Sequence, residues 1–370
     1  MDTPSSPRSQ GSSDSLEEPP GPNENEKIIN EYKYINTIVD EKEFHLVTEQ
    51  YPFVSTSYYL SLAKESPYDP IMRQLCPSIE EVREKDFALE DPLNEEGASP
   101  VPGLVHRYPD RVLMIITNVC FMNCRHCTRK RLWKGGRKPK TFEEIKRMID
   151  YVREHREIRD VILSGGDPLT FSDEFLEAIL TELKSVPHVE IIRIGTRAPV
   201  VKPSRITDGF ARLLSKFRSI WLNTQFNHVR EITPYSEEAV RKILYAGVPV
   251  NNQSVLLKGI NDSVKDMLDL CQGLLKIGVR PYYLFHCDPV QGAIHFRTPI
   301  STGIEIISKM RGYTSGLAVP TFVVDAVGGG GKIPLGPQYM ISQIGSKMIL
   351  RNFKGKSLVY DNFHSEVLVS

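Results

Sequence analysis

The stretch that decides the fold runs from Arg111 to Cys127 and reads RVLMIITNVCFMNCRHC. Its opening part, Arg111–Thr117, is rich in β-branched and apolar residues and predicts a buried strand. Three cysteines follow at once, at positions 120, 124 and 127. Three thiolates on one short loop are typical of a [4Fe–4S] cluster with one open iron position, whereas structural zinc closes its tetrahedron with four ligands. A zinc knuckle completed by His126 is the alternative.

Outward from this stretch, short β-rich runs alternate with amphipathic runs, at the length of one βα unit. The predicted strands are Arg111–Thr117, Asp160–Ser164, Val189–Thr196, Ser219–Gln225, Val248–Leu257 and Pro281–Phe285. The predicted helices are Phe142–Glu154, Ser172–Leu183, Asp208–Phe217, Ser236–Tyr245, Val264–Ile277 and Ile304–Met310. Six such units predict an α/β fold with a parallel sheet and right-handed crossovers, either an open doubly wound sheet or a full or partial barrel.

Four parts are expected along the chain. Residues 1–27 are rich in Ser, Pro, Gly and Glu and predict a disordered tail. Residues 28–104 predict a helical lead-in, and residues 105–311 contain the βα series. Residues 312–370 predict a C-terminal extension with strands at Thr321–Val324 and Lys347–Phe353.

The composition excludes several classes of protein. The 370 residues include 46 Lys and Arg and 46 Asp and Glu, so the formal net charge is zero and no general field attracts nucleic acid or an anionic membrane. The N-terminus lacks an apolar signal region, and no apolar run reaches membrane-spanning length. Six cysteines are too few for a disulfide scaffold. We expect a cytoplasmic protein with no nucleic-acid and no membrane partner.

Candidate functional residues lie just after the predicted strands, where active sites of parallel α/β folds are assembled. Ser164–Asp167 follow the second strand, Gln225 ends the fourth and Asp288 follows the sixth. Further on, four glycines precede Lys332. A phosphate-binding loop is excluded there because Ile333 stands where that motif requires Ser or Thr. A lysine on a flexible glycine turn can instead bind a carbonyl cofactor, the alternative being a solvated lysine after a linker.

The cysteine motif together with Ser164-Gly165-Gly166-Asp167 resembles the radical S-adenosylmethionine (SAM) superfamily. Several long motifs resemble the lysine 2,3-aminomutase family more specifically, among them Leu89–Leu93, Arg193–Arg197, Asn252–Leu257 and Val324–Lys332. This similarity extends from about Phe53 to Phe353. It implies a partial (β/α)6 TIM-like barrel of the radical SAM type.

The resemblance also implies an activity. Members of the family are isomerases that move the α-amino group of L-lysine to Cβ, giving β-lysine. They use a [4Fe–4S] cluster, SAM and pyridoxal 5′-phosphate (PLP), and the nitrogen migrates through an azacyclopropylcarbinyl radical. The implied partners are a free amino acid substrate, an electron donor such as flavodoxin or ferredoxin, and further copies of the chain in a homo-oligomer, either a dimer or a tetramer.

The resemblance assigns roles to individual residues. Cys120, Cys124 and Cys127 bind the cluster. The SAM contacts are Ser164, Gly165, Gly166, Asp167 and Gln225, the last standing where the family usually has histidine. The PLP contacts are Lys332, which forms the internal aldimine, and Arg111, Arg107 and Gln253. The substrate contacts are Arg129 for the carboxylate, with Asp288 and Asp325 for the distal ammonium.

Other readings stay open. The glutamate 2,3-aminomutase branch replaces the two aspartates with lysine and asparagine, so both acids here favour lysine, while arginine and ornithine also carry a distal cation. Arg129 could belong to a solvated basic patch. A protein of another class, with a purely structural iron–sulfur or zinc site, or an enzyme that modifies a lysine on a protein partner, is also possible. The cysteine-rich tail of longer members is absent, and we expect no structural zinc.

Overall fold

The computed structural model describes residues 26–83 and 87–363. The strands are β1 (Ile28–Ile29), β2 (Ser55–Thr56), β3 (Leu104–Tyr108), β4 (Arg111–Thr117), β5 (Asp160–Gly165), β6 (Ile191–Gly195), β7 (Ile220–Thr224), β8 (Val250–Leu256), β9 (Arg280–His286), β10 (Thr321–Ala326), β11 (Gly331–Leu335), β12 (Met340–Ile344), β13 (Lys347–Arg351) and β14 (Ser357–Asp361). The α-helices are α1 (Glu41–Gln50), α2 (Ser57–Ser61), α3 (Met72–Leu75), α4 (Phe142–Glu154), α5 (Asp173–Lys184), α6 (Ala198–Val201), α7 (Asp208–Ser215), α8 (Pro234–Tyr245), α9 (Val264–Lys276) and α10 (Ile300–Met310).

The main sheet has nine strands in the order β11-β10-β9-β8-β7-β6-β5-β4-β3. Strands β4 to β10 are parallel, while β3 and β11 pair antiparallel at the two ends. The two ends of the sheet approach each other, because the backbone N–H of Lys332 on β11 donates to the Tyr108 hydroxyl on β3 at 2.9 Å. The predicted partial barrel is confirmed, and β10 extends its parallel series beyond the six predicted strands.

The helices of the barrel begin where the sequence supplies a cap. A Ser or Thr side chain accepts a backbone N–H at the start of α4, α5, α7, α8 and α9, namely Thr141, Ser172, Thr207, Thr233 and Ser263. In α4 the buried residues Ile145, Met148, Ile149 and Val152 recur at helical spacing. This apolar face joins the main core, which fixes the helix against the sheet.

The predicted C-terminal extension begins inside the main sheet. Strand β10 pairs parallel with β9 and antiparallel with β11, so the sheet continues across the predicted boundary at residue 311. The glycine turn between β10 and β11 leads directly into Lys332, which lies on β11 opposite Asp325 of β10 and not in the turn itself. Strands β12, β13 and β14 form a separate antiparallel sheet.

The N-terminal part packs against the barrel. Most of the predicted disordered tail, residues 1–25, lies outside the described residues. Glu26, at the end of that predicted tail, pairs with Lys202 at 3.4 Å. In the described part of the chain, every helix is too short or too polar to cross a bilayer.

Candidate functional site

A cavity of about 610 Å³ lies within the barrel and is lined by the candidate residues. Every site residue predicted from the sequence lines it: Cys120, Cys124, Cys127, Ser164, Gly165, Gly166, Asp167, Gln225, Lys332, Arg111, Arg107, Gln253, Arg129, Asp288 and Asp325. The structure therefore brings the predicted residues together in one cavity, although they lie on loops and strands far apart in the chain.

The three cysteines are free thiols on the loop after β4. Burial and the neighbouring Cys124 sulfur raise the pKa of Cys127 to about 11, and burial also raises the pKa of Cys120 well above its usual range. Bound iron would favour the thiolate forms, because a nearby positive charge stabilises them. Within residues 26–83 and 87–363, no three His, Cys, Asp or Glu side chains converge on a point that could hold one metal ion. Three thiol groups on one loop match the three protein ligands of a [4Fe–4S] cluster with one open iron position.

Gly165, the last residue of β5, and Gly166 pack against the start of the loop that carries the cysteines. A Cβ at Gly165 would lie 2.3 Å from the Thr117 carbonyl oxygen, and one at Gly166 would lie 2.3 Å from the Val119 carbonyl oxygen. Gly165 also has a φ of +117°, which favours glycine. A side chain at either position would collide with the loop that carries the cysteines, so packing within the chain already requires glycine here.

The Asp167 carboxylate is hydrogen-bonded to three groups of the protein itself. It accepts hydrogen bonds from the Thr196 hydroxyl at 2.7 Å, from the Arg197 backbone N–H at 2.9 Å and from the Leu169 backbone N–H at 3.0 Å. These bonds fix the loops after β5 and β6, and the contact of Asp167 with SAM stays a prediction. The Gln225 side chain lies 3.4 Å from the His126 ring, at the same end of the cavity.

Arg129 is held by a carboxylate that sequence reasoning missed. Its Nε lies 2.9 Å and its Nη2 2.6 Å from the two oxygens of Glu95, which also accepts a bond from Arg131 at 2.8 Å. Burial opposes ionisation of Glu95, but the two arginines outweigh it and lower its pKa to about 2. Arg129, whose side chain is 15% exposed, is therefore a mostly covered, oriented group rather than part of a solvated patch. Nothing in the local sequence around residue 95 indicates a partner 34 residues away.

At the other end of the cavity, two carboxylates and a lysine come together. Lys332 Nζ lies 3.0 Å from Asp325 Oδ1, and their side chains are 33% and 8% exposed. Burial, reinforced by the negative charge of Asp325, raises the pKa of Asp288 to about 6. The predicted pair of acids is thus close enough in space for the two charges to interact.

The predicted PLP contacts surround Lys332. Arg111 stacks on the Tyr108 ring at 3.9 Å, and Arg107 donates to the Leu93 carbonyl oxygen. Gln253 on β8 pairs in register with Tyr283 on β9. Both arginines line a cavity that also contains a primary amine, a set of groups that fits a phosphorylated aldehyde.

Comparison with known proteins assigns the family. Residues 114–271 match the family model of the radical SAM superfamily, and residues 307–367 match the model described as lysine-2,3-aminomutase. The L-lysine 2,3-aminomutase of Clostridium subterminale is 54% identical over 306 residues, which cover 82% of this chain and 74% of the relative. The chain belongs to the lysine 2,3-aminomutase family.

Two further proteins are similar to this member of the lysine 2,3-aminomutase family, one in sequence and one in structure. The glutamate 2,3-aminomutase of Clostridioides difficile is 45% identical, over 88% of this chain and 77% of the relative. The solved structure of Streptococcus suis SuiB bound to S-adenosylmethionine has a TM-score of 0.44 at 13% identity, covering 59% of this chain and 51% of that chain.

Family membership confirms several predictions. The chain is a radical SAM aminomutase, and so an isomerase, on a radical SAM type of barrel. The radical SAM family implies a [4Fe–4S] cluster and SAM as cofactors.

Proposed function

We propose that this aminomutase is PLP-dependent and moves the α-amino group of L-lysine to Cβ, giving β-lysine. The observation that carries the proposal is the pair of low-exposure carboxylates, Asp288 and Asp325, in the wall of one cavity. Burial, and after it the negative charge of Asp325, raises the pKa of Asp288 to about 6, so the two carboxylates repel each other when both are ionised. A cation between them removes that repulsion, and the distal ammonium of lysine is such a cation.

The residues of the cavity fit the cofactors that the proposal requires. Cys120, Cys124 and Cys127 would bind the cluster, and Ser164 with Gln225 would contact SAM. At the other end, Lys332 would link to PLP. Its Nζ lies 5.1 Å from the centre of the Phe285 ring, so aromatic surface borders the amine. The remaining PLP contacts, for the phosphate and the ring, would come from Arg107, Arg111 and Gln253.

The reaction divides between the cofactors and the chain. When bound, SAM on the reduced cluster supplies a carbon radical that removes and returns a hydrogen atom, and PLP supplies a carbonyl that carries the migrating nitrogen. Arg129 orients the substrate carboxylate through its guanidinium. Asp288 and Asp325 hold the distal ammonium, and the two contacts together fix the position of Cα and Cβ along the cavity.

Charge in the cavity supports lysine over glutamate. The side-chain carboxylate of glutamate would meet two acidic groups, Asp288 and Asp325, where lysine brings a positive charge. One member of this family is named glutamate 2,3-aminomutase, so the substrate of this chain has to be decided by its own residues. Arginine and ornithine carry the same charge as lysine and are the remaining candidates.

An anaerobic turnover assay tests the proposal. The protein is reconstituted with iron and sulfide, supplied with SAM, PLP and dithionite, and offered lysine, arginine, ornithine and glutamate separately. Dithionite stands in for the one-electron donor, which we propose to be a flavodoxin or ferredoxin. We expect conversion of lysine to β-lysine to dominate. Conversion of glutamate alone would overturn the ammonium site, and full activity without PLP would overturn the role of Lys332.

A further inference from the structure

The side chain of Arg197 ends on a sulfur atom of the cysteine loop. Its Nη1 donates to Cys124 Sγ at 3.0 Å. Among the described residues, no other cysteine sulfur of the loop accepts a hydrogen bond from a charged side chain; the Arg137 guanidinium donates to the Cys120 backbone carbonyl oxygen at 3.2 Å, not to its sulfur. Cys127 Sγ instead accepts from the Arg129 backbone N–H at 3.3 Å. The three sulfurs are therefore electrostatically inequivalent.

Arg197 is held in this position by its other donors. Its Nε donates to the Gln225 carbonyl oxygen at 3.0 Å, and its Nη2 lies 2.7 Å from Glu231 Oε1 and 2.6 Å from Gln74 Oε1. Nη2 also contacts the Tyr59 hydroxyl at 3.1 Å. With acceptors from several segments of the chain, the guanidinium cannot turn away from the sulfur without breaking other bonds.

Glu231 balances the charge of Arg197 and is itself fully engaged. It is buried and accepts the Tyr59 hydroxyl at 2.6 Å, the Gln74 amide at 3.1 Å and the His228 backbone N–H at 3.0 Å. A buried ion pair satisfied in this way can persist, because each charged atom has hydrogen-bond partners. Its positive end faces the sulfur and its negative end faces away.

We propose that Arg197 is a positioning residue that tunes the reduction potential of the cluster through Cys124. Reduction adds one electron, from a low-potential one-electron donor, and makes the cluster more negative by one charge. A guanidinium N–H on a ligand sulfur stabilises that added charge, so it raises the potential. This inference rests on the proposed assignment of the three cysteines as cluster ligands. It is separate from the choice of amino acid substrate.

The experiment measures the midpoint potential of the reconstituted cluster, without SAM or substrate, by visible absorbance and by the electron paramagnetic resonance of the reduced form. In Arg197→Gln we expect the equilibrium constant for reduction to fall by about tenfold, which is about 59 mV for a one-electron couple. The matched control is Arg193→Gln. Arg193 lines the same cavity but pairs with Asp160 at 2.8 Å, so we expect the midpoint of this variant to match that of the native chain.

Glu231→Gln separates this electrostatic role from a structural one. Removing the carboxylate leaves the Arg197 charge less compensated, so we expect the midpoint to rise, opposite in direction to that of Arg197→Gln. If Arg197→Gln does not fold, the midpoint potential of the cluster in Glu231→Gln tests the proposal by itself. An unchanged midpoint in a variant with full iron content would overturn the inference. If the reconstituted native chain binds far fewer than the four iron atoms of one [4Fe–4S] cluster, the proposed assignment of the cysteines is wrong instead.

Discussion

At the cysteine end of the cavity, partners from several segments of the chain hold the charged side chain of Arg197, whereas at the Lys332 end two charged groups hold each other. Arg197 bonds to Glu231, Gln74 and Tyr59 as well as to Cys124. Lys332 Nζ pairs with Asp325, its neighbour across a hairpin. The cysteine end is thus held by contacts within the chain, while the proposed link to PLP requires Lys332 to leave Asp325. Substitutions should affect stability and potential at the first end, and binding at the second.

The largest expected effect separates the two ends. In Lys332→Ala, turnover should fall by at least about 10³-fold, because the covalent link to the cofactor is lost. Iron content and melting temperature should stay close to those of the native chain, since Lys332 lies at an edge strand. Absorbance of bound PLP, iron analysis and thermal unfolding check this. Lys347→Ala, at an exposed site on β13, is the control. Loss of iron together with PLP would contradict the independence of the two ends.

Glu95 should contribute to stability in a pH-dependent way. Its pKa is lowered to about 2 from an ordinary value of 4.5, so its stabilisation is present above pH 4.5 and is lost as the pH falls toward 2. In Glu95→Gln, the free energy of unfolding at neutral pH should fall by roughly 3 kcal/mol, and the difference from the native chain should close on acidification. Denaturant unfolding across this pH range measures it.

The neighbouring Glu96 supplies the matched control for that experiment. Its side chain is largely exposed, so Glu96→Gln should leave the stability profile unchanged. If the difference in free energy of unfolding between Glu95→Gln and the native chain is constant from pH 2 to 7, Glu95 stabilises the fold through packing and not through its charge.

Unlike Glu95, Asp288 should contribute to substrate binding and not to the stability of the fold. In Asp288→Asn, the KM for lysine should rise by about 30-fold, because one partner of a buried charge pair is removed. The raised pKa of about 6 means that the ionised carboxylate destabilises the fold at neutral pH, so the melting temperature should rise slightly. Steady-state kinetics and thermal unfolding check both. Asp269→Asn, which removes a surface partner of Lys265, should change neither. A lower melting temperature with an unchanged KM would assign Asp288 a structural role.

The smallest effect tests the packing of the cysteine loop. In Gly166→Ala, the new Cβ would lie 2.3 Å from the Val119 carbonyl oxygen, and the loop must shift. We expect a loss of roughly 1–3 kcal/mol in stability together with weaker retention of iron. Gly316→Ala, where a Cβ meets open space, is the control. Equal behaviour of the two variants would show that the loop accommodates the methyl group freely.

Local signals in the sequence predicted much of this fold. The predicted bounds of α4 and β4 agree with the structure, because a Thr141 cap, an apolar helical stripe and a β-branched run are all local patterns. The cysteine motif and the residues after the strands also located the cavity. Parallel strands bring their carboxyl ends together, so order along the chain was sufficient to predict proximity.

The remainder depends on contacts that no local pattern encodes. Glu95 meets Arg129 only after the lead-in folds over the barrel. The glycines before Lys332 suggested a mobile turn, but pairing of β11 with β10 places that lysine on a strand. Arg197 was visible at the end of a predicted strand, yet its contact with Cys124 depends on Tyr59, Gln74 and Glu231, which come from distant segments.

The most direct test of an ammonium site at the Lys332 end compares lysine with norleucine, an analogue with the same carbon chain that lacks the distal ammonium group. Turnover is measured anaerobically with the reconstituted native chain and with Asp325→Asn. We predict that kcat/KM for lysine exceeds that for norleucine by about 100-fold or more in the native chain, and that the ratio collapses in Asp325→Asn. Equal kcat/KM for the two amino acids in the native chain would contradict the assignment of Asp288 and Asp325.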